Sequence, residues 1–162
     1  MTIRYIHGDL FQNIQSGDVL CHIVNDVYKI GAGFTKPLIK HFPNVRDGYL
    51  NWKITGNVSC TLTSATLKLG HVQFLQGSSP QIIIANMCAQ HGVRSRWNQH
   101  PIDYAHLASC LQHVANYVAT KTTVNRIVAP KFGTGLACGD WEIIATLIEK
   151  YWDNFEVVIC SL

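Results

Sequence analysis

The chain predicts an α/β domain with a mixed sheet covered by helices on both faces, and three observations carry that reading. The run Val19-Leu20-Cys21-His22-Ile23-Val24 is almost wholly apolar, the habit of a strand buried on two sides rather than one. Strand-like runs alternate with helix-period segments through the second half, the pattern of an α/β fold. Of 162 residues, 48% are hydrophobic and only 14% charged, which excludes a disordered chain. That length suits one substantial core, so residues 1–162 are expected to form a single domain.

Ile3 to His7 reads as the first strand, ended by Gly8-Asp9, and Val19 to Val24 as the second; both are expected to lie centrally. A loop from Asn25 to Gly33 leads to a helix near Pro37 to His41, for which Thr35 and Pro37 suit the start. Pro43 to Lys53 fits a short helix with Val45, Tyr49 and Trp52 on a core face. Thr55 to Leu69 fits either an extra hairpin or an irregular excursion. His71 to Gln76 and Gln81 to Met87 flank Gly77-Ser78-Ser79-Pro80, and the pair predicts a hairpin. Asp103 can cap a long helix whose Leu107, Leu111, Val114 and Val118 share one face. Val124 to Ala129 is the next strand. A helix then begins at Asp140 or Trp141, with Ile143, Ile144, Leu147, Ile148 and Tyr151 apolar, and Val157 to Cys160 closes the chain as a strand.

A net charge of +3 and a pI near 8.5 are too mild for the electrostatic footprint of a dedicated nucleic-acid binder. Arg94-Ser95-Arg96-Trp97 is the longest basic feature; it could grip a phosphate or stack on a base, or be a solvated loop. The six cysteines form no CxxC pair and read as reduced core thiols. No His/Cys group has zinc-site spacing, so neither a metal nor another cofactor is expected. With no signal-like start and no apolar run of membrane-spanning length, a soluble, cytoplasmic protein without a membrane partner is expected.

Two glycine-bearing loops carry the chemistry. Gly133-Thr134-Gly135-Leu136-Ala137-Cys138-Gly139-Asp140-Trp141 follows an apolar strand and precedes a helix, and Gly31-Ala32-Gly33 does the same earlier in the chain. Glycines permit positive φ and close backbone approach, and a helix start aims free N–H groups at an anion. Open α/β sheets place ligand loops at these carboxyl ends. Neither loop has the Lys-Ser/Thr ending of a P-loop or a full G-x-G-x-x-G fingerprint, which sets aside ATPase and Rossmann readings.

The order of Gly8-Asp9-Leu10, Asn25 to Gly33, Asn86 with Gln90, and Gly133 to Trp141 resembles that of the macro domains, nearly end to end. The resemblance is closest to the stand-alone ADP-ribose 1″-phosphate phosphatase branch, with similarity to the terminal ADP-ribose glycohydrolase branch. It implies a three-layer α/β/α fold and a partner that is ADP-ribose or its 1″-phosphate. By resemblance Asp9 receives the adenine amine and Leu10 adds a backbone contact, although Asp9 also suits a plain turn. Ile23, Val24 and Asn25 match the distal ribose pocket. Ile30, Gly31, Ala32, Gly33, Phe34 and Thr35 match the first diphosphate loop, where relatives usually have Ile-Ala in place of Phe34-Thr35. Gly133, Thr134, Gly135, Leu136, Ala137 and Cys138 match the second.

In the glycohydrolase branch an Asp follows the Gly-Leu of the second loop and works with a Lys on a neighbouring strand. Here Ala137 occupies the first position and Ile82 to Met87 holds no Lys, so that covalent route lacks its groups. Asp140 reads as a helix start rather than a displaced catalyst. Hydrolysis of an anomeric phosphate needs positioning, charge stabilisation and an oriented water. His22 and Asn25 are the catalytic candidates, with a core histidine and an Asx turn as their structural alternatives. Asp26, Lys29 and His91 are weaker ones. A module that only binds ADP-ribose, or a hydrolase acting on ADP-ribosylated protein or nucleic acid, are the other readings.

Overall fold

The computed structural model describes residues 3–52, 60–77 and 81–161. Seven strands and five helices follow in the order β1 (Arg4–His7), α1 (Leu10–Asn13), β2 (Asp18–Asn25), α2 (Thr35–His41), α3 (Asn44–Leu50), β3 (Cys60–Leu62), β4 (Val72–Gln76), β5 (Ile83–Gln90), α4 (Tyr104–Ala119), β6 (Arg126–Pro130), α5 (Trp141–Tyr151) and β7 (Val157–Ser161). They form one sheet ordered β1-β7-β6-β2-β5-β4-β3. Pairing is parallel from β1 to β5 and antiparallel across β5-β4-β3, so the sheet is mixed, as the apolar strands predict.

Alternate residues of β2 enter opposite cores. Val19 and Cys21 pack with Leu107, Leu111, Ile144 and Trp152 beneath α4 and α5. Leu20 packs with Leu38, Phe42, Val45, Val128 and Val158 on the α1–α2 side. A smaller cluster joins Val24 and Cys88 to Tyr49 and Trp52, the core face expected of α3. Both long helices have carboxylate caps: Asp103 accepts from the His106 amide and Asp140 from that of Glu142, each at 2.9 Å, which satisfies donors a helix start otherwise leaves open.

Some expectations change. β1 lies at the sheet edge with Arg4, Tyr5 and His7 exposed; polar residues at alternate positions suit an edge and discourage further pairing. Ile143 is 44% exposed while Ile144 and Ile148 are buried, because adjacent residues of a helix lie about 100° apart. α2 is preceded by Phe34 without a side-chain cap; Thr35 spends its hydroxyl inside the loop instead. Of Thr55 to Leu69, Cys60–Leu62 forms the antiparallel edge strand β3, and residues 55–59 lie outside those described. The hairpin of β4 and β5 is present, Gln76 opposite Ile83, though residues 78–80 of its turn lie outside the described set. No described helix is long and apolar enough to cross a membrane.

Candidate functional site

β2 and β6 pair only from Asp18 opposite Arg126 to Leu20 opposite Val128. Beyond that point β2 continues along β5 to Asn25, while β6 continues along β7 to Pro130, and a crevice opens between them. From β2 the chain crosses to one side of the sheet, and from β6 to the other. This is a topological switch point, the place where open α/β sheets bind ligands. A cavity of about 440 Å³ occupies it, lined by residues of both glycine loops.

The first loop is built on Asn25. Its carboxamide oxygen accepts from the amides of Val27 and Lys29, both at 3.1 Å, and from the Tyr49 hydroxyl at 2.7 Å, while Nδ2 donates to the Lys29 carbonyl at 2.7 Å. Asn25 is buried, so this is an Asx turn anchored to α3. Asp26 is held away from the cavity, accepting from the Gly92 amide at 2.7 Å and facing His91 Nδ1 at 2.8 Å. The Thr35 hydroxyl accepts from Gly31 N–H at 3.0 Å and donates to the Ala32 carbonyl at 2.7 Å. Gly31 and Gly33 have φ of 119° and 60°, conformations open chiefly to glycine.

In the second loop Gly133 has φ 81°, and a Cβ there would lie 2.7 Å from Ile102 and 2.9 Å from Ile144. Gly139 closes the loop by donating to the Gly133 carbonyl at 2.6 Å. Among the described residues the amides of Gly33 and Phe34, and those of Gly135, Leu136 and Ala137, donate to no protein acceptor. All five residues line the cavity, and unpaired loop amides at a cavity are donors that an anion can use.

Lys29, Arg94 and Lys131 add three positive charges to the lining, which holds no Asp or Glu among the described residues. Arg94 and Gln90 come from the end of β5, Lys131 and Phe132 from the end of β6. Sequence offered Lys29 and Arg94 separately as phosphate contacts but did not join them with Lys131 around one cavity, because a cation's position there depends on strand order rather than local pattern.

Of the sequence-predicted residues, His22, Ile23, Asn25, Ile30 to Thr35, Gly133, Gly135, Leu136 and Ala137 line the cavity; Asp9, Leu10, Val24, Thr134 and Cys138 do not. Asp9 caps α1, its Oδ1 accepting from the Phe11 amide at 3.0 Å. Leu10 and Val24 are core residues, and the Thr134 hydroxyl donates to the Lys131 carbonyl at 2.7 Å.

His22 is 2% exposed, and its Nε2 bonds Asn86 Oδ1 on β5. Burial pushes its pKa down to about 4, the Asn86 bond opposing part of that shift, so the ring is neutral at pH 7. The buried thiols of Cys88 and Cys110 are pushed upward by burial, Cys88 to about 12, and carry no thiolate. No group of three or more His, Cys, Asp or Glu among the described residues could hold a metal ion.

No protein-family model matches the chain. An uncharacterised 17.5 kDa protein from the tk-vs intergenic region of Enterobacteria phage T4 is 22% identical over 98% of this chain and 96% of its own. Among solved structures, a protein of unknown function from Bacteroides thetaiotaomicron is 30% identical over 100% of this chain and 99% of its own, at a TM-score of 0.83. A macrodomain protein from Streptomyces coelicolor is 25% identical, covering 99% of both chains at a TM-score of 0.75. Thermosipho africanus DarTG, solved in complex with ADP-ribose, is 16% identical over 99% of this chain and 42% of its own at a TM-score of 0.75.

Proposed function

We propose, from the macrodomain fold that this chain has, that the crevice between β2 and β6 binds ADP-ribose with its diphosphate between the two glycine loops. The observation that carries this reading is the set of unpaired loop amides and three cations around a cavity that holds no carboxylate among the described residues. Backbone donors need little reorganisation to meet an anion, and the cations offset its charge. A volume near 440 Å³ falls within the usual range of small-molecule sites. The DarTG structure with ADP-ribose supports the same ligand class. We assign the adenine end to Asp9 and Leu10 by resemblance; the α1 cap engages Asp9 Oδ1 and leaves Oδ2 to accept an amine. Titration calorimetry with ADP-ribose tests the reading: saturable one-to-one heat is expected, and no heat at millimolar ligand overturns it.

The reaction we assign to this site is hydrolysis of ADP-ribose 1″-phosphate to ADP-ribose and phosphate. Among the described residues the lining offers no carboxylate nucleophile, so catalysis rests on positioning and on stabilising phosphate charge with Lys29, Arg94, Lys131 and the loop amides. His22, a neutral imidazole on the lining, orients the sugar or water. Asn25 holds the loop, its oxygen already taken by three donors. Phosphate release from this substrate should fall at least tenfold in His22→Ala. Calorimetric binding of ADP-ribose without any phosphate release would make the protein a binding module instead.

A further inference from the structure

Three buried polar side chains lie in one row across the sheet. His22 on β2 stands opposite Asn86 on β5, and Asn86 stands opposite Gln73 on β4. They are 2%, 0% and 1% exposed, so each polar atom must find a partner or remain costly.

The direction of their bonds follows from where the row ends. Gln73 meets the main-chain carbonyl of Gly48, which can only accept, so Gln73 presents Nε2 there, at 2.8 Å. Gln73 Oε1 then faces Asn86 and accepts from Nδ2 at 2.9 Å. Asn86 Oδ1 is left for His22, whose Nε2 must therefore carry the proton. No amide flip undoes this: turning Asn86 sets its oxygen against Gln73 Oε1, and turning Gln73 sets its oxygen against Gly48. The ring is neutral at pH 7, so Nδ1 holds a lone pair. That atom is buried and has no partner among the described residues, in a residue that lines the cavity.

We propose that Asn86 and Gln73 are positioning residues that hold His22 in the Nε2–H tautomer, so that Nδ1 accepts a hydrogen bond from a sugar hydroxyl of the ligand. This rests on the reading of the crevice as an ADP-ribose site and divides that site by polarity. Amides and cations take the diphosphate, which only accepts; the single lone pair takes a hydroxyl, which can donate. A phosphate oxygen placed against Nδ1 would meet acceptor with acceptor, so the relay sets a sugar rather than the diphosphate against β2.

Nitrogen-15 spectroscopy of histidine-labelled protein tests both halves. In the free protein at pH 7, His22 should carry its proton on Nε2 and none on Nδ1; a proton on Nδ1, or on both nitrogens, overturns the tautomer assignment whether or not any ligand binds. Adding ADP-ribose should move the Nδ1 resonance toward that of a hydrogen-bonded acceptor, whereas pyrophosphate, which has no sugar, should leave it in place. Equal movement with both ligands, or none at calorimetric saturation with ADP-ribose, overturns the acceptor role. Should ADP-ribose fail to bind, the proposed function and the acceptor role fall together, while the free-protein spectrum still decides the tautomer. Gln73→Met frees Asn86 to flip, and ADP-ribose affinity should drop about tenfold, the worth of one hydrogen bond, with pyrophosphate affinity unchanged. Equal loss for both ligands points to general damage and overturns the positioning role. If that variant does not fold, the wild-type spectra decide.

Discussion

His22 makes stability depend on pH in a window its own environment defines. Unfolded, it takes up a proton below about 6.5; folded, burial delays that to about 4. The unfolded state thus binds more protons between those values, so this contribution is present above 6.5, is lost as pH falls, and has cost its full amount, on the order of 3 kcal/mol, below 4. Urea midpoints should therefore drop more between pH 7 and pH 5 in the wild type than in His22→Gln. A second buried group depends on its countercharge. Arg126 donates to Asp18 through Nε at 2.6 Å and a terminal nitrogen at 3.1 Å, and to the Asn13 carbonyl at 2.6 Å. Asp18→Asn leaves a buried guanidinium without its countercharge and should cost about 3 kcal/mol in chemical denaturation. At this scale the sequence was only partly readable. His22 stood out as an imidazole in an apolar run and Asn86 in the order of motifs, but their pairing and Gln73 did not, since Asn86 lies 64 positions from His22 and Gln73 13 before Asn86. Only the register of three strands brings them into a row.

The glycine loops were the most readable elements, because positive φ and close approach leave a mark in composition that survives without the fold. Their glycines nevertheless differ in role. A Cβ at Gly139 would lie 2.5 Å from the Gly133 carbonyl, backbone that has nowhere to go, whereas one at Gly135 meets nothing within 4 Å. Gly139→Ala should lose both stability and ADP-ribose binding, while Gly135→Ala should unfold within about 0.5 kcal/mol of the wild type. Thermal denaturation paired with calorimetry separates the two. The caps at Asp103 and Asp140 were equally legible, since a carboxylate before an apolar-periodic run has a local meaning. The edge position of β1 was not: Ile3 to His7 has a strand pattern, and nothing in five residues states how many neighbours that strand will have.

For the whole molecule, the alternation of buried strands and amphipathic helices specified the layers, but the order of strands decided the site. Lys29, Arg94 and Lys131 leave three different strand ends and meet only because β5, β2 and β6 are adjacent. A ligand that joins them should stabilise the fold as a unit: ADP-ribose at a hundred times its Kd adds about 2.7 kcal/mol, on the order of 5–10 °C in Tm for a domain of this size. Differential scanning fluorimetry reads that shift, which raised salt should reduce as the three charges are screened.

The short ladder between Asp18–Leu20 and Arg126–Val128 has a mechanical consequence. It divides the sheet into two leaves, β1-β7-β6 and β2-β5-β4-β3, riveted at one end by the Asp18–Arg126 ion pair and parted at the other. A wedge of that shape concentrates any splaying motion at the last rung, Leu20 with Val128. A guest held across the open end would clasp the leaves together, so the amide protons flanking that rung should exchange with solvent more slowly when ADP-ribose is bound. Unchanged exchange there at saturating ligand would mean that the leaves already move as one.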